Sequence, residues 1–181
     1  MLRLTGQYGD GWLPAWRMTP GEYAEKRQVV KRHAEARGRP MPECGLLAPL
    51  MLGESRDRLL EMVEETPLCK TLAIWMRGEA WERHGLAHPA GPKSRGMVDV
   101  IVHHLDPQEV LEVSSKVPAT LFEDMFYMGN VDELLEIFDG FAQAGLEHII
   151  LADSTGVVGG LEEVTARAPD LLRLREKLAA R

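Results

Sequence analysis

The chain has 181 residues, 45% of them hydrophobic, and a formal net charge of -7. That length builds one domain with a sizeable core, and the negative balance, without a dense Lys/Arg run, excludes non-specific nucleic-acid binding. No apolar run is long enough to span a bilayer, and no signal-peptide pattern is read at the start. Cys44 and Cys69 lack metal-ligand spacing and any Cys-x-x-Cys arrangement, so both read as reduced core thiols of a cytoplasmic protein.

In chain order, Met1 to Tyr8 reads as a helix stopped by Gly6 and Gly9, followed by a short strand, Asp10 to Leu13, which Pro14 ends. Thr19-Pro20-Gly21-Glu22 carries the signature of a capping box, and the helix it opens runs to about Arg37. The continuous apolar run from Gly45 to Leu52 suits a strand buried on both faces, with Pro49 as its blemish. Ser55 caps a helix through Glu65, and Thr66-Pro67 restarts one whose Leu68, Leu72, Trp75 and Met76 are expected on one buried face.

The helical pattern breaks between Arg83 and Leu105, a stretch rich in Gly and Pro. Asp106-Pro107 then opens another helix, and Pro118 separates it from a helical segment spanning roughly Ala119 to Met125. Asn130, with Glu133 three residues on, caps the clearest helix, which Gly145 ends. His148 to Ala152 is a buried strand, and a polar helix from Leu161, interrupted near Pro169, closes the chain. Three strands alternating with helices predict an α/β fold with a parallel sheet.

The run Thr5-Gly6-Gln7-Tyr8-Gly9-Asp10-Gly11-Trp12-Leu13-Pro14, with the Thr19-Pro20 helix start, resembles the bacterial luciferase-like family of flavin- and deazaflavin-dependent oxidoreductases. The branch that uses coenzyme F420 is the most similar. The resemblance continues through His88-Pro89-Ala90-Gly91, Arg95 to Asp99, Gly129 to Glu133 and Ala144 to His148. It implies the C-terminal part of a (β/α)8 TIM barrel: about three β/α units plus an inserted helical and loop segment, within one partial domain over 1–181. A whole barrel of this kind takes about 250 residues. The resemblance further implies hydride transfer between F420 (alternatively FMN) and a small carbonyl or alcohol substrate. Most of the cofactor pocket would come from an N-terminal half, so the chain alone is expected to be inactive. A homo-oligomer or a complementing N-terminal half is the expected partner. The alternatives are a non-catalytic half-barrel subunit that completes a separately encoded protein, and a non-catalytic remnant.

Three groups are candidates for the site, because loops at the carboxyl ends of parallel strands converge there. Trp16 and Arg17 follow the first strand: Arg17 either holds an anionic or carbonyl-bearing substrate or pairs with a surface carboxylate. His88, Lys93 and Arg95 lie in the 83–105 segment, which the family resemblance implies is a lid over the site; solvated surface charge is the simpler reading. Asp153, Ser154, Thr155 and Gly156 follow the last strand, where Ser and Thr hydroxyls and glycine N–H groups suit a cofactor phosphate and Asp153 does not. His103-His104 has no partners at metal-site spacing, so no metal is expected.

Overall fold

The computed structural model describes residues 1–180, leaving aside the side chain of Val102. Helix α1 (Leu2–Tyr8) leads into strand β1 (Gly11–Trp12), helix α2 (Pro20–Glu35) and strand β2 (Glu43–Leu52). The capping box at Thr19 forms: its hydroxyl accepts from Glu22 N–H while the Glu22 carboxylate accepts from Thr19 N–H at 2.7 Å. Helix α1 lies close enough to α2 that a Cβ on Gly6 would run into the Val30 carbonyl.

Strand β2 is the hub of a parallel sheet. Its first residues pair with β1, its last three pair with β3 (Tyr127–Gly129), and residues 45–50 pair on the opposite side with β4 (His148–Asp153). Strand β3 escapes the sequence pattern, because three residues carry no readable alternation and only the pairing with Leu50 to Leu52 makes them a strand. The sheet also explains Pro49. Residues two apart in a strand direct their N–H groups to the same side. Leu47 N–H reaches Pro14 O and Gly53 N–H reaches Gly129 O on that side. Pro49 falls between them, where β1 has left and β3 is only beginning, so its missing donor breaks no bond.

Alternate residues of β2 go to different places. Cys44, Leu46, Ala48, Leu50 and Leu52 are fully buried against α2, α7 (Val131–Gln143) and α8 (Gly156–Ala179), with Tyr23, Leu134, Phe138, Phe141 and Leu174 in the same core. On the other face Leu47 and Pro49 are only partly covered, and Leu13 and Ile150 are 47% and 45% exposed. That face is covered near the carboxyl end of β2, where Met51 and Met128 enter a second core with Trp81, Leu121, Phe122 and Phe126.

The second core belongs to a helical insertion. After α3 (Arg56–Glu65), capped by Ser55, come α4 (Pro67–Lys70), a 3-10 turn (Thr71–Trp75), α5 (Gly78–Arg83), an irregular stretch with 3-10 turns at Gly96–Val98 and Val102–His104, α6 (Pro107–Ser115) and a 3-10 segment (Ala119–Asp124). Two expectations fail in part, here and at the C-terminus. Of the expected face Met76 is buried and Leu72 and Trp75 partly so, but Leu68 is 73% exposed; the segment passes from α to 3-10 geometry after Lys70, and Cys69, Ala73 and Ile74 are buried beside Met76. Helix α8 is broken at the non-helical Gly160 (φ 62°), so its long part starts at Leu161 as expected, but it runs through Pro169 without interruption. Pro169 is exposed, so the carbonyl it leaves unbonded one turn earlier is solvated.

Candidate functional site

Strand β1 delivers its loop to the carboxyl-end side of the sheet, where the insertion faces it. Between them lies a cleft of about 290 Å³, with Trp16, Arg17 and Met18 from the loop, Glu22 and Lys26 from α2, and Met76, Arg77, Glu79, Ala80, Arg83, Asp124 and Met125 from the insertion. The loop is held from far away in sequence. Tyr127 Oη accepts from Met18 N–H at 3.2 Å and donates to Met18 O at 2.9 Å. The Arg17 guanidinium sits 5.3 Å from the centre of the Tyr127 ring, a cation–π arrangement that fixes its plane. Tyr127 is itself wedged edge-on against Phe138 and Phe141. Arg17 Nε is buried with no hydrogen-bond partner; a donor left so ordinarily costs about 1–3 kcal/mol, so its retention marks a place where a ligand atom would be favourable.

The sequence candidates are distributed unevenly over this geometry. Trp16, 47% exposed, and Arg17 line the cleft. His88 does not: it is 4% exposed, its Nε2 lies 3.1 Å from Ile74 O, its Nδ1 accepts from Ala90 N–H, and its ring packs edge-on against Trp81. Burial holds its imidazole below the ordinary range, so it is neutral and fastens the 83–105 segment to the rest of the insertion. Arg95 is turned back on Asp99, with Nε and Nη2 both on Oδ1, and Lys93 is exposed; neither lines the cleft.

The turn after β4 is tied inward. Thr155 is fully buried, its hydroxyl accepts from Leu52 N–H at 2.9 Å and donates to Asp153 Oδ1, and its N–H also goes to Asp153. Ser154 N–H is spent on Leu50 O. With those donors committed and a carboxylate at the centre, Asp153 to Gly156 offers a phosphate little beyond Gly156, so no cofactor contact is assigned to it. The His103 and His104 rings meet edge-on at 4.7 Å, and no group of three or more His, Cys, Asp or Glu among the described residues could hold a metal ion. No helix among them is long and apolar enough to cross a membrane.

Sequence reasoning missed Lys26, Arg77, Arg83 and Tyr127. Lys26 reads as a solvated helix charge, Arg77 and Arg83 belong to a separate segment, and Tyr127 is 109 residues from the loop it holds. Only the fold brings them together.

A parallel sheet with helices on one face, and a cleft where a strand's carboxyl-end loop meets an insertion, is the architecture of part of a (β/α) barrel. The chain belongs to the luciferase-like monooxygenase family, which it matches over residues 1–166. It is 34% identical over 178 residues to the phthiodiolone/phenolphthiodiolone dimycocerosates ketoreductase of Mycobacterium tuberculosis (strain ATCC 25618 / H37Rv), covering 97% of this chain and 46% of that protein. The Mycobacterium kansasii ketoreductase of the same name is 32% identical over 168 residues, again across 46% of its length. The chain thus spans about half the length of these curated relatives. Among solved structures, the coenzyme F420-dependent tetrahydromethanopterin reductase of Methanopyrus kandleri superposes with a TM-score of 0.55 at 14% identity, over 91% of this chain and 46% of that one. A riboflavin lyase bound to modified FMN and riboflavin superposes at 0.50 and 13% identity, over 97% and 41%. At those identities the likeness is one of fold, and it matches the expected α/β barrel part.

Proposed function

We propose that this chain is the carboxyl-terminal, substrate-side half of a deazaflavin- or flavin-dependent oxidoreductase that transfers hydride to or from a carbonyl or alcohol carbon. F420 is preferred to FMN on the sequence resemblance alone, since the solved structures of similar fold include both an F420-dependent reductase and a lyase bound to modified FMN. The bound ring would supply the hydride chemistry; the residues of this chain would position substrate and exclude water. Trp16 and Arg17 stand on the substrate side, and the insertion serves as the cover through α5 and Asp124-Met125 rather than through the expected lid residues His88, Lys93 and Arg95.

The observation that carries this reading is the sheet. One face is sealed by helices while Leu13, Leu47, Pro49 and Ile150 stay open on the other, as the inner wall of an arc that needs further strands to become a barrel core. Such strands, and most of the cofactor pocket, would come from an amino-terminal half. The same open face favours a second reading, a non-catalytic half-barrel subunit docked on a separately encoded partner.

The test is titration of F420 and of FMN into the chain alone and into the chain co-expressed with the amino-terminal half of the M. tuberculosis ketoreductase. The oxidoreductase reading expects affinity weaker than about micromolar for the chain alone, micromolar or tighter binding in the reconstituted pair, and ketone-dependent oxidation of reduced cofactor that falls when Arg17 is changed. Micromolar binding by the chain alone removes the need for a partner half. Cofactor turnover indifferent to Arg17 favours the non-catalytic subunit.

A further inference from the structure

The cleft holds positive charge that its own carboxylates do not neutralise. Arg83 is spent on Asp124, at 2.9 Å. Glu22 is spent on the Thr19 N–H and hydroxyl, at 2.7 and 3.1 Å. Three cations remain, one each from the β1 loop, α2 and the insertion. Arg17 and Lys26 act on Glu22 only through space, and neither they nor Arg77 form a hydrogen bond or ion pair with any described residue. Glu79 and, through space, Glu22 are the lining carboxylates that oppose them, so with the Arg83–Asp124 pair four cations face three carboxylates. Beside these charges the lining is apolar: Met18, Met76, Ala80 and Met125, with Trp16 as a wall.

A guanidinium whose plane is set by an aromatic ring and whose Nε–H is unbonded is prepared for a two-oxygen acceptor. The ammonium and the second guanidinium supply charge from two other elements, so a ligand that satisfies all three would also draw the insertion onto the barrel arc. We propose that Arg17, Lys26 and Arg77 form a binding site for the carboxylate or phosphate of a ligand whose apolar part rests on Met18, Met76 and Met125, and that Tyr127 is the positioning residue for Arg17. The site deepens the oxidoreductase reading by giving its substrate an acidic group on an apolar body, and rests on that reading only for the ligand being the substrate.

The experiment needs no cofactor. The full chain, labelled with nitrogen-15, is titrated at constant ionic strength with inorganic phosphate and, separately, with 4-phenylbutyrate, following the arginine Nε–Hε signals. Saturable movement of the Arg17 and Arg77 signals with either probe is the expected result; the tighter probe identifies phosphate or carboxylate as the natural group. Arg17→Gln, Arg77→Gln and Lys26→Gln should each weaken binding about tenfold or more, a loss of about 1.4 kcal/mol, whereas Arg32→Gln, on the exposed part of α2, should not. Tyr127→Phe keeps the ring and loses both bonds to Met18. It should weaken binding in the parent chain and add nothing in an Arg17→Gln background, a pattern that a general packing role does not give. If Arg17→Gln disturbs folding, Arg17→Lys keeps the charge and loses the fork, and should also bind more weakly. Absent or non-saturating shifts with both probes overturn the proposal, as does an Arg32→Gln loss equal to that of Arg17→Gln. Cofactor titration fails or succeeds independently, so the two readings are tested apart.

Discussion

At the scale of single residues, burial decides the chemistry of several groups that look reactive in the sequence. Cys69 is 2% exposed and its thiol is pushed up to about 11 by desolvation, and burial raises the fully buried Cys44 thiol as well. Neither forms thiolate near neutral pH, so a thiol reagent at about pH 8 should label none in the native chain and both in denaturant; rapid native labelling at either position would contradict the packing. His88 carries a pH signature. Burial holds its folded pKa below that of an ordinary histidine, so as pH falls the unfolded chain takes up the proton first. Its contribution to stability is therefore intact above about 6.5 and declines below it, toward the lowered folded value. Urea midpoints between about pH 7.5 and 5.5 should fall less steeply in His88→Gln than in the parent chain, although the variant starts lower.

At the scale of elements, the helix starts were legible because capping is local chemistry. Thr19, Ser55, Asp106 and Asn130 each accept from first-turn N–H groups as their sequence contexts predict. Asn130 N–H in turn donates to the Glu133 carboxylate at 2.7 Å, which closes the capping box. Since α7 carries Leu134, Phe138 and Phe141 into the main core, Asn130→Ala should cost about 1 kcal/mol in equilibrium unfolding, and Asn130→Gly only a few tenths. What stayed illegible depends on distant partners or on a change of helical period. Strand β3 exists because β2 pairs with it, and Leu68 is exposed in a segment that passes from α to 3-10 geometry after Lys70. The site divides the same way: Trp16 and Arg17 follow from their place after a strand, whereas Lys26, Arg77 and Tyr127 needed the fold.

At the scale of the whole molecule, the two faces of the sheet should respond oppositely to change. Leu46 is fully buried under the helices, so Leu46→Ala should lose about 2–5 kcal/mol of stability. Ile150, one residue from the buried row and 45% exposed, should tolerate Ile150→Gln within about 0.5 kcal/mol. Light scattering should also show less self-association in Ile150→Gln, because the open face is apolar surface of the kind that associates. A large destabilisation by Ile150→Gln would mean that this face is already packed.

The pairing of β2 with β3 also bears on how such a protein could diversify. Leu50 to Leu52 lie beside Tyr127 to Gly129, so the chain leaves the sheet for the insertion and re-enters it at adjoining strands. Everything between those stems has a core of its own, joined to the arc chiefly through Met51 and Met128. A replacement cassette that keeps the two anchor points and refills that methionine seam would leave the main helical core undisturbed while remaking one wall of the cleft. Ligand choice can then drift by exchange of a whole module, at little risk to the framework that carries it.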